Sequence, residues 1–153
     1  MAKFIFKLQS LLNLKIQIED SVKNELGKAL KKLDREKKAL ERLEKMEEDS
    51  IFEFNHKAEN KITVEKLREH TSYISSLREK IALQKENVNF AQFNVDKVRE
   101  KLIKIVQERE MLDKLKEKRY QEFLEEQSRE DQRLNDEIVS YKQGSVRTGD
   151  KDG

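Results

Sequence analysis

The sequence predicts an all-α fold, a long antiparallel two-helix coiled-coil hairpin with a C-terminal helical overhang. Apolar residues recur at alternating spacings of four and three, the pattern of a coiled-coil seam. Residues 1–143 contain no proline and a single glycine, Gly27, so little interrupts a helix. Charged residues make up 42% of the chain and hydrophobic residues 35%, whereas an ordinary domain has about 25% charged residues. The chain is therefore too charged to enclose one thick core.

The same composition argues against other classes of protein. Without cysteine or proline, the chain is neither a disulfide scaffold nor a collagen. Its four glycines are too few for a turn-rich β-sandwich or for the phosphate loops of nucleotide-binding folds. A disordered polyampholyte has no reason to keep apolar residues in phase over many heptads. The 33 basic and 31 acidic residues leave a formal charge of +2, so we expect no nucleic-acid partner.

Helix 1 is predicted over about residues 3–57. Two tracks of every seventh residue, offset by four, form its seam. The tracks are Leu8, Lys15, Val22, Ala29, Glu36, Leu43 and Leu12, Glu19, Leu26, Leu33, Leu40.

A turn is predicted over about residues 58–63, where the heptad phase lapses. Asn60 is suited to close the first helix in a left-handed conformation. Thr63 is a plausible N-cap for the next helix, and Glu65 is favourably placed in its first turn. A turn this short brings the second helix back antiparallel to the first.

Helix 2 is predicted over about residues 64–142, and its seam is the stronger of the two. The tracks are Leu67, Ile74, Ile81, Val88, Val95, Leu102 and His70, Leu77, Gln84, Ala91, Val98, Ile105, Leu112. A constant period of seven over this length indicates one nearly unbroken helix. Phe90 and Phe93 flank the seam position of Ala91 and are expected to widen the core. Tyr73 is left open as a core-edge residue or a partner contact.

Folding the chain at residue 60 pairs Leu26 with residue 94 and Leu8 with Leu112, which matches the apolar stripes. We therefore expect an intramolecular hairpin that is monomeric when free. The alternative is a parallel homodimer of one very long helix. Together, residues 1–143 form a single coiled-coil domain in this interpretation.

The second helix outlasts its partner near residue 117. The overhang remains amphipathic, with apolar residues at Tyr120, Phe123, Leu124, Leu134, Ile138 and Tyr141. Such a stripe usually has an external partner, and an unpaired helix is marginal in water. We expect the overhang to fray when free and residues 144–153 to form a disordered tail.

No arrangement for catalysis is visible, so the chain is predicted not to be an enzyme and to need no cofactor or metal. His56 and His70 are fourteen residues apart, whereas a helical metal pair needs a spacing of about four. No stretch approaches the roughly 20 apolar residues of a membrane span. Lys7 interrupts the apolar opening, which makes a poor signal peptide. The expected location is cytoplasmic.

Several short motifs follow one another along the chain. The opening, residues 4–15, contains a Phe-x-Phe-x-Leu pattern, and a Tyr-apolar-x-x-Leu run at residues 73–77 begins the second helix. A Leu-x-Lys-Leu-basic segment at residues 112–116, a Glu-Gln pair at residues 126–127 and a Leu-x-Asp-Glu motif at residues 134–137 follow. Together, and in this order, they resemble the FliJ family of flagellar type III export proteins.

The resemblance implies a coiled-coil stalk similar to that of the rotary ATP synthase γ subunit. In this family the end with both termini enters the hexameric flagellar export ATPase and promotes its assembly and activity. Another surface contacts the cytoplasmic domain of the membrane export-gate protein, and the family recycles export chaperones. The implied location is cytoplasmic, peripheral to the inner face of the cell membrane at the flagellar base, with a role in motility.

The resemblance also implies two sets of contact residues. The ATPase-binding tip would comprise Phe4, Phe6, Leu8, Leu112, Leu115, Leu134, Asp136 and Glu137. The gate-binding stripe would comprise Tyr73 and Leu77. Two other functions stay open, a generic coiled-coil adaptor or export chaperone that binds export substrates, and a membrane-surface helix over residues 4–14.

Overall fold

The computed structural model describes residues 2–59 and 61–151, with side chains through residue 145. It contains two helices, α1 (Gln9–Ala58) and α2 (Val64–Lys151), and no strand among these residues. The two helices pack against each other through their apolar seams. The predicted all-α helical hairpin is therefore confirmed.

The chain before α1 is not helical, so the prediction that the helix starts near residue 3 is wrong. The Gln9 N–H donates to the Phe6 carbonyl oxygen at 3.1 Å, a turn that leads into α1. Phe4 and Phe6 lie two residues apart, and an extended backbone turns such residues to the same face. Phe4 is half-buried and Phe6 buried, whereas Ile5 between them is 79% exposed. This alternation of buried and exposed side chains has the period of an extended backbone.

The start of α2 carries the predicted cap. The Lys66 N–H donates to Thr63 Oγ1 at 3.4 Å, and the Leu67 N–H donates to the Thr63 carbonyl at 3.1 Å. The hydroxyl thus satisfies one of the backbone amides that a helix leaves free at its first turn. Asn60, predicted to close the first helix, lies outside the described residues.

The end of α2 differs from the sequence prediction of a disordered tail from Gly144. The described backbone is helical through Lys151, and residues 152–153 lie outside it. Gly144 does not adopt a positive φ, so it does not form a left-handed cap. A glycine within a helix costs only about 1 kcal/mol relative to alanine, and no proline follows to stop the helix.

Contacts divide the described chain into two compact units. The terminal unit comprises residues 2–16 and 107–151, and the central unit comprises residues 17–106.

The central unit has its core at Leu33, Ala91 and Val95, and Val95 is fully buried. Leu26, Ala29 and Val88 pack around this cluster. The contact of Leu26 with this cluster agrees with its predicted pairing near residue 94. The predicted seam is therefore the observed seam.

Polar contacts in the central unit show that its helices run antiparallel. Glu25 pairs with Lys101 at 3.4 Å and Glu47 with Arg78 at 3.4 Å. Between them, the Gln84 amide donates to the Glu36 backbone carbonyl at 2.9 Å. Residue numbers fall along α2 as they rise along α1, which is the order expected of an intrachain hairpin.

The prediction that Phe90 and Phe93 widen the core is wrong. Their side chains are 61% and 63% exposed. Each residue turns an α-helix by about 100°, so Phe90 points away from the direction of its buried neighbour Ala91. Phe93 lies between Ala91 and Val95 in sequence but on the outer face of the helix. Ala91 itself packs in the seam with Leu33 and Val95.

Candidate functional site

The terminal unit has an aromatic cluster where the N-terminal segment meets α2. The Phe4 ring lies edge-on to Tyr120, with centroids 5.3 Å apart, and tilted against Phe123 at 5.6 Å. Such aromatic contacts contribute about 0.5–1.5 kcal/mol beyond the area they bury. The cluster therefore anchors the extended segment to the second helix.

A groove lies beside this cluster. It is open to solvent, and both apolar and charged side chains line it. Its main lining residues are Phe4, Phe6, Leu8, Leu115, Arg119 and Phe123. Ile5 also borders the groove and is mostly exposed, so an incoming side chain can contact it.

Ion pairs fix α1 against α2 near this groove. Lys15 Nζ donates to Glu108 Oε2 at 2.7 Å, between the two helices. Within α2, Arg109 pairs with Asp113 at 2.7 Å. Arg109 lies seven residues after the seam residue Leu102 and is half-buried, so a charged residue occupies the seam here. Partly exposed pairs of this kind add little stability, but the Lys15–Glu108 pair shows which residues of the two helices lie opposite each other.

The structure brings together only part of the predicted ATPase-binding tip. Four of its residues line the one groove, namely Phe4, Phe6, Leu8 and Leu115. Leu112 is half-buried, while the other three are exposed further along α2, at Leu134, Asp136 and Glu137. Leu8 was predicted to face Leu112, but it shares the groove with Leu115, about one helical turn away.

Two residues of the cluster were not included in the predicted tip. Tyr120 and Phe123 were treated as part of the overhang, yet both contact Phe4. The signal was available in the hairpin register, because residues near 120 face the first residues of the chain.

The last part of α2 has no covering partner among the described residues. Gln127 is half-buried, whereas every residue from 128 to 145 is exposed. The exposed apolar side chains there are Leu134, Ile138, Val139 and Tyr141. An apolar stripe in this state is a candidate for binding a partner.

The predicted gate-binding stripe divides into one accessible and one buried residue. Tyr73 is 46% exposed, but Leu77 is only 2% exposed because it belongs to the seam. Gln84, further along, spans to Glu36 on α1. Of the two predicted residues, Tyr73 is thus the one that a partner can contact.

The described residues offer little for other kinds of site. No group of three histidine, aspartate, glutamate or cysteine residues among them could hold a metal ion. No helix in the described part of the chain has the length and apolar character needed to cross a membrane.

The fold is that of a helical coiled-coil protein, and the grooves found on its described residues are open to solvent. Residues 4–145 match the family described as Flagellar FliJ protein, and the chain belongs to that family. It is therefore a component of flagellar protein export, and the resemblance seen in its motifs is confirmed. Searches of the curated proteins and of the solved structures return no significant match.

Proposed function

We propose that this chain is a non-enzymatic stalk and coupling component of flagellar export. It binds the hexameric export ATPase, promotes assembly and activity of the ring, and links it to the export gate and to export chaperones. The observation that carries the proposal is the terminal unit, where a groove of aromatic residues adjoins a helix with an uncovered apolar stripe.

The groove is suited to ATPase binding because Phe4 is held in place while Ile5 and Leu8 beside it remain exposed. Phe4 is fixed between Tyr120 and Phe123, so little conformational freedom is lost when a partner binds. Arg119 and Glu122 at its border offer charged contacts of both signs. Aromatic residues at the centre and polar residues at the rim are the common arrangement of protein–protein interfaces.

The overhang is suited to bind the same partner, but through apolar and acidic side chains. Its exposed apolar residues are accompanied by six acidic ones, Glu125, Glu126, Glu130, Asp131, Asp136 and Glu137. Arg129 and Arg133 offset part of this charge, and Arg129 pairs with Glu125 at 3.7 Å. A basic apolar channel in the ATPase ring would complement this segment.

The gate contact is proposed to centre on Tyr73, with Leu77 acting through the seam that positions it. Gate binding would hold the chain in the cytoplasm against the inner face of the membrane at the flagellar base. Loss of this contact would impair export and motility without affecting ATPase binding.

The test is the activity of the cognate export ATPase, measured at several ATPase concentrations with and without this chain. We expect the stimulation to be strongest at low concentration, where the ring is poorly assembled. The variant Phe4→Ser combined with Leu134→Ser should abolish stimulation. Phe52→Ser, an exposed phenylalanine in the central unit, is the control and should stimulate normally. Full stimulation by the double variant would contradict the proposal.

An export chaperone or adaptor is the second candidate, because the exposed stripe at Leu134 and Ile138 would also suit an unfolded export substrate. Direct binding of unfolded filament subunits, lost in Leu134→Ser, together with no effect on the ATPase, would favour this function.

A further inference from the structure

One flank of the central unit can be traced from a single observed contact. Glu25 on α1 pairs with Lys101 on α2, so these positions face each other across one side of the seam. Every seventh residue from each of them lies on the same side. Lys32 follows on α1, and Asn94, Asn87 and Lys80 lie on α2.

The next positions outward complete this flank. On α1 they are Lys28, Arg35 and Arg42, and on α2 they are Lys97, Phe90 and Leu83. We call this surface, together with the adjoining Phe93, the cationic flank.

Six unpaired cations populate the cationic flank between the Glu25–Lys101 pair and residue 80. They are Lys28, Lys32, Arg35, Arg42, Lys80 and Lys97, and all are exposed. None of them has a carboxylate within ion-pair distance among the described residues. The charge is therefore available to an external anion.

The acidic residues in the same stretch of α1 lie at heptad positions outside the cationic flank. Asp34, Glu41 and Glu48 repeat every seventh residue on the opposite side of the helix, and Asp34 pairs there with Lys38 at 3.0 Å. The basic flank therefore results from segregation of charge, since the whole chain carries only +2.

Three large apolar side chains protrude from this basic surface. Leu83 is 60% exposed, and Phe90 and Phe93 are exposed to the same extent. The two phenylalanines lie within residues 87–95, which contain no charged residue in a chain that is 42% charged. Phe93 marks the edge of the flank, because Glu86 and Glu100 lie seven residues on either side of it.

We propose that the cationic flank lies on an anionic lipid surface, with Leu83, Phe90 and Phe93 entering the headgroup region. Lysine and arginine side chains would meet the lipid phosphates, while the apolar side chains would reach the acyl boundary. The inference rests on the proposed location at the membrane, and it names the surface that makes the contact.

The shape of the flank favours a lipid surface over a partner helix. A partner helix docks its side chains into a groove. The two grooves described in the central unit are lined by Ile51 and by residues between 64 and 82. Phe90 and Phe93 line neither groove and instead protrude, which suits a deformable interface.

The test is cosedimentation of the full chain with vesicles of phosphatidylglycerol and phosphatidylcholine, against vesicles of phosphatidylcholine alone. We expect binding to the anionic vesicles only, with a loss of about tenfold or more when salt is raised from low to high concentration. The double variant Phe90→Ser and Phe93→Ser should weaken binding by about tenfold. Phe52→Ser, which changes a still more exposed phenylalanine elsewhere in the central unit, should bind like the wild type.

Two triple charge-reversal variants distinguish a specific role of the cationic flank from a general effect of net charge. Lys28→Glu, Lys32→Glu and Arg35→Glu together should abolish binding to anionic vesicles. Lys37→Glu, Lys85→Glu and Arg99→Glu change the net charge equally but lie on the other flank of the seam, and they should leave most binding intact. Equal loss in both triple variants would overturn the proposal.

Two further outcomes count against the lipid surface. The proposal is overturned if the wild-type chain does not bind anionic vesicles. It is also overturned if these residues bind polyglutamate or an oligonucleotide while the chain does not bind vesicles. Stimulation of the export ATPase, measured with the same variants, should be unchanged. Wild-type chain that stimulates the ATPase but does not bind anionic vesicles therefore refutes the proposal about the flank alone. Wild-type chain that does not stimulate the ATPase refutes the stalk function.

Discussion

Two stretches of α2 carry similar apolar patterns, but only one of them is covered. Around residues 88–98 the stripe packs against α1, and Val95 is fully buried. Between residues 128 and 145 a stripe of the same spacing is exposed throughout. The difference shows that heptad spacing specifies a helix with an apolar side, while the reach of the partner helix decides whether that side forms a core or a docking surface.

The largest expected difference between these two regions is in amide hydrogen exchange. Amides in residues 88–98 should exchange only by global unfolding, because α1 covers that stretch. Amides in residues 128–145 should exchange at least about a hundredfold faster in the free chain, since an unpaired helix is marginal in water. Equal protection in the two stretches would contradict the comparison.

Replacing one buried and one exposed apolar residue by aspartate tests the same contrast as a difference in the free energy of unfolding. Val95→Asp should lower the free energy of unfolding by about 3–5 kcal/mol, because it places an unpaired charge in the core. Ile138→Asp on the overhang should change it by no more than about 0.5 kcal/mol. Urea denaturation followed by circular dichroism measures both, and a large loss in Ile138→Asp would mean that the overhang is covered.

The proposed gate-binding stripe also contains one buried residue and one exposed residue, and their substitutions should have different effects. Leu77→Ala removes a buried seam side chain and should cost about 2–4 kcal/mol of stability. Tyr73→Ala should cost less than about 1 kcal/mol, because the side chain is half exposed. Binding to the cytoplasmic domain of the gate protein should nevertheless fall in Tyr73→Ala. Unchanged gate binding by a stably folded Tyr73→Ala would show that the contact lies elsewhere.

The smallest expected effect concerns the cap of α2. Thr63→Ala removes the oxygen that accepts from the Lys66 N–H and should cost about 1 kcal/mol. Thr71→Ala is the matched control, because the Thr71 hydroxyl only donates to the Leu67 carbonyl inside the helix. Thermal melts of the two variants should therefore differ, with the lower midpoint in Thr63→Ala.

Most of the fold could be predicted from the sequence because heptad spacing, an absence of proline and one capping threonine all point to the same hairpin. The extended start was missed although Phe4, Phe6 and Leu8 recur at every second residue, which is the period of a strand and not of a helix. The contacts of Phe4 with Tyr120 and Phe123 show where this segment packs. The exposure of Phe90 was missed because side-chain size was weighed above heptad position.

The candidate site was less predictable than the fold. The N-terminal motif located Phe4 and Phe6 at the groove, but motif matching could not reveal that Leu77 is buried. The cationic flank could not be predicted from the sequence, because its residues come from two distant segments. Only the register of the two helices, seen in the Glu25–Lys101 pair, shows that they lie on one side.

The most direct test of the central claim is ATPase stimulation by a chain truncated after Gln127. The truncation removes the exposed part of α2 and leaves the covered seam, so we predict an unchanged unfolding midpoint together with loss of most stimulation. A truncated chain that is stable and stimulates the ATPase as well as the full chain would contradict the assignment of the uncovered stripe as the ATPase-binding segment.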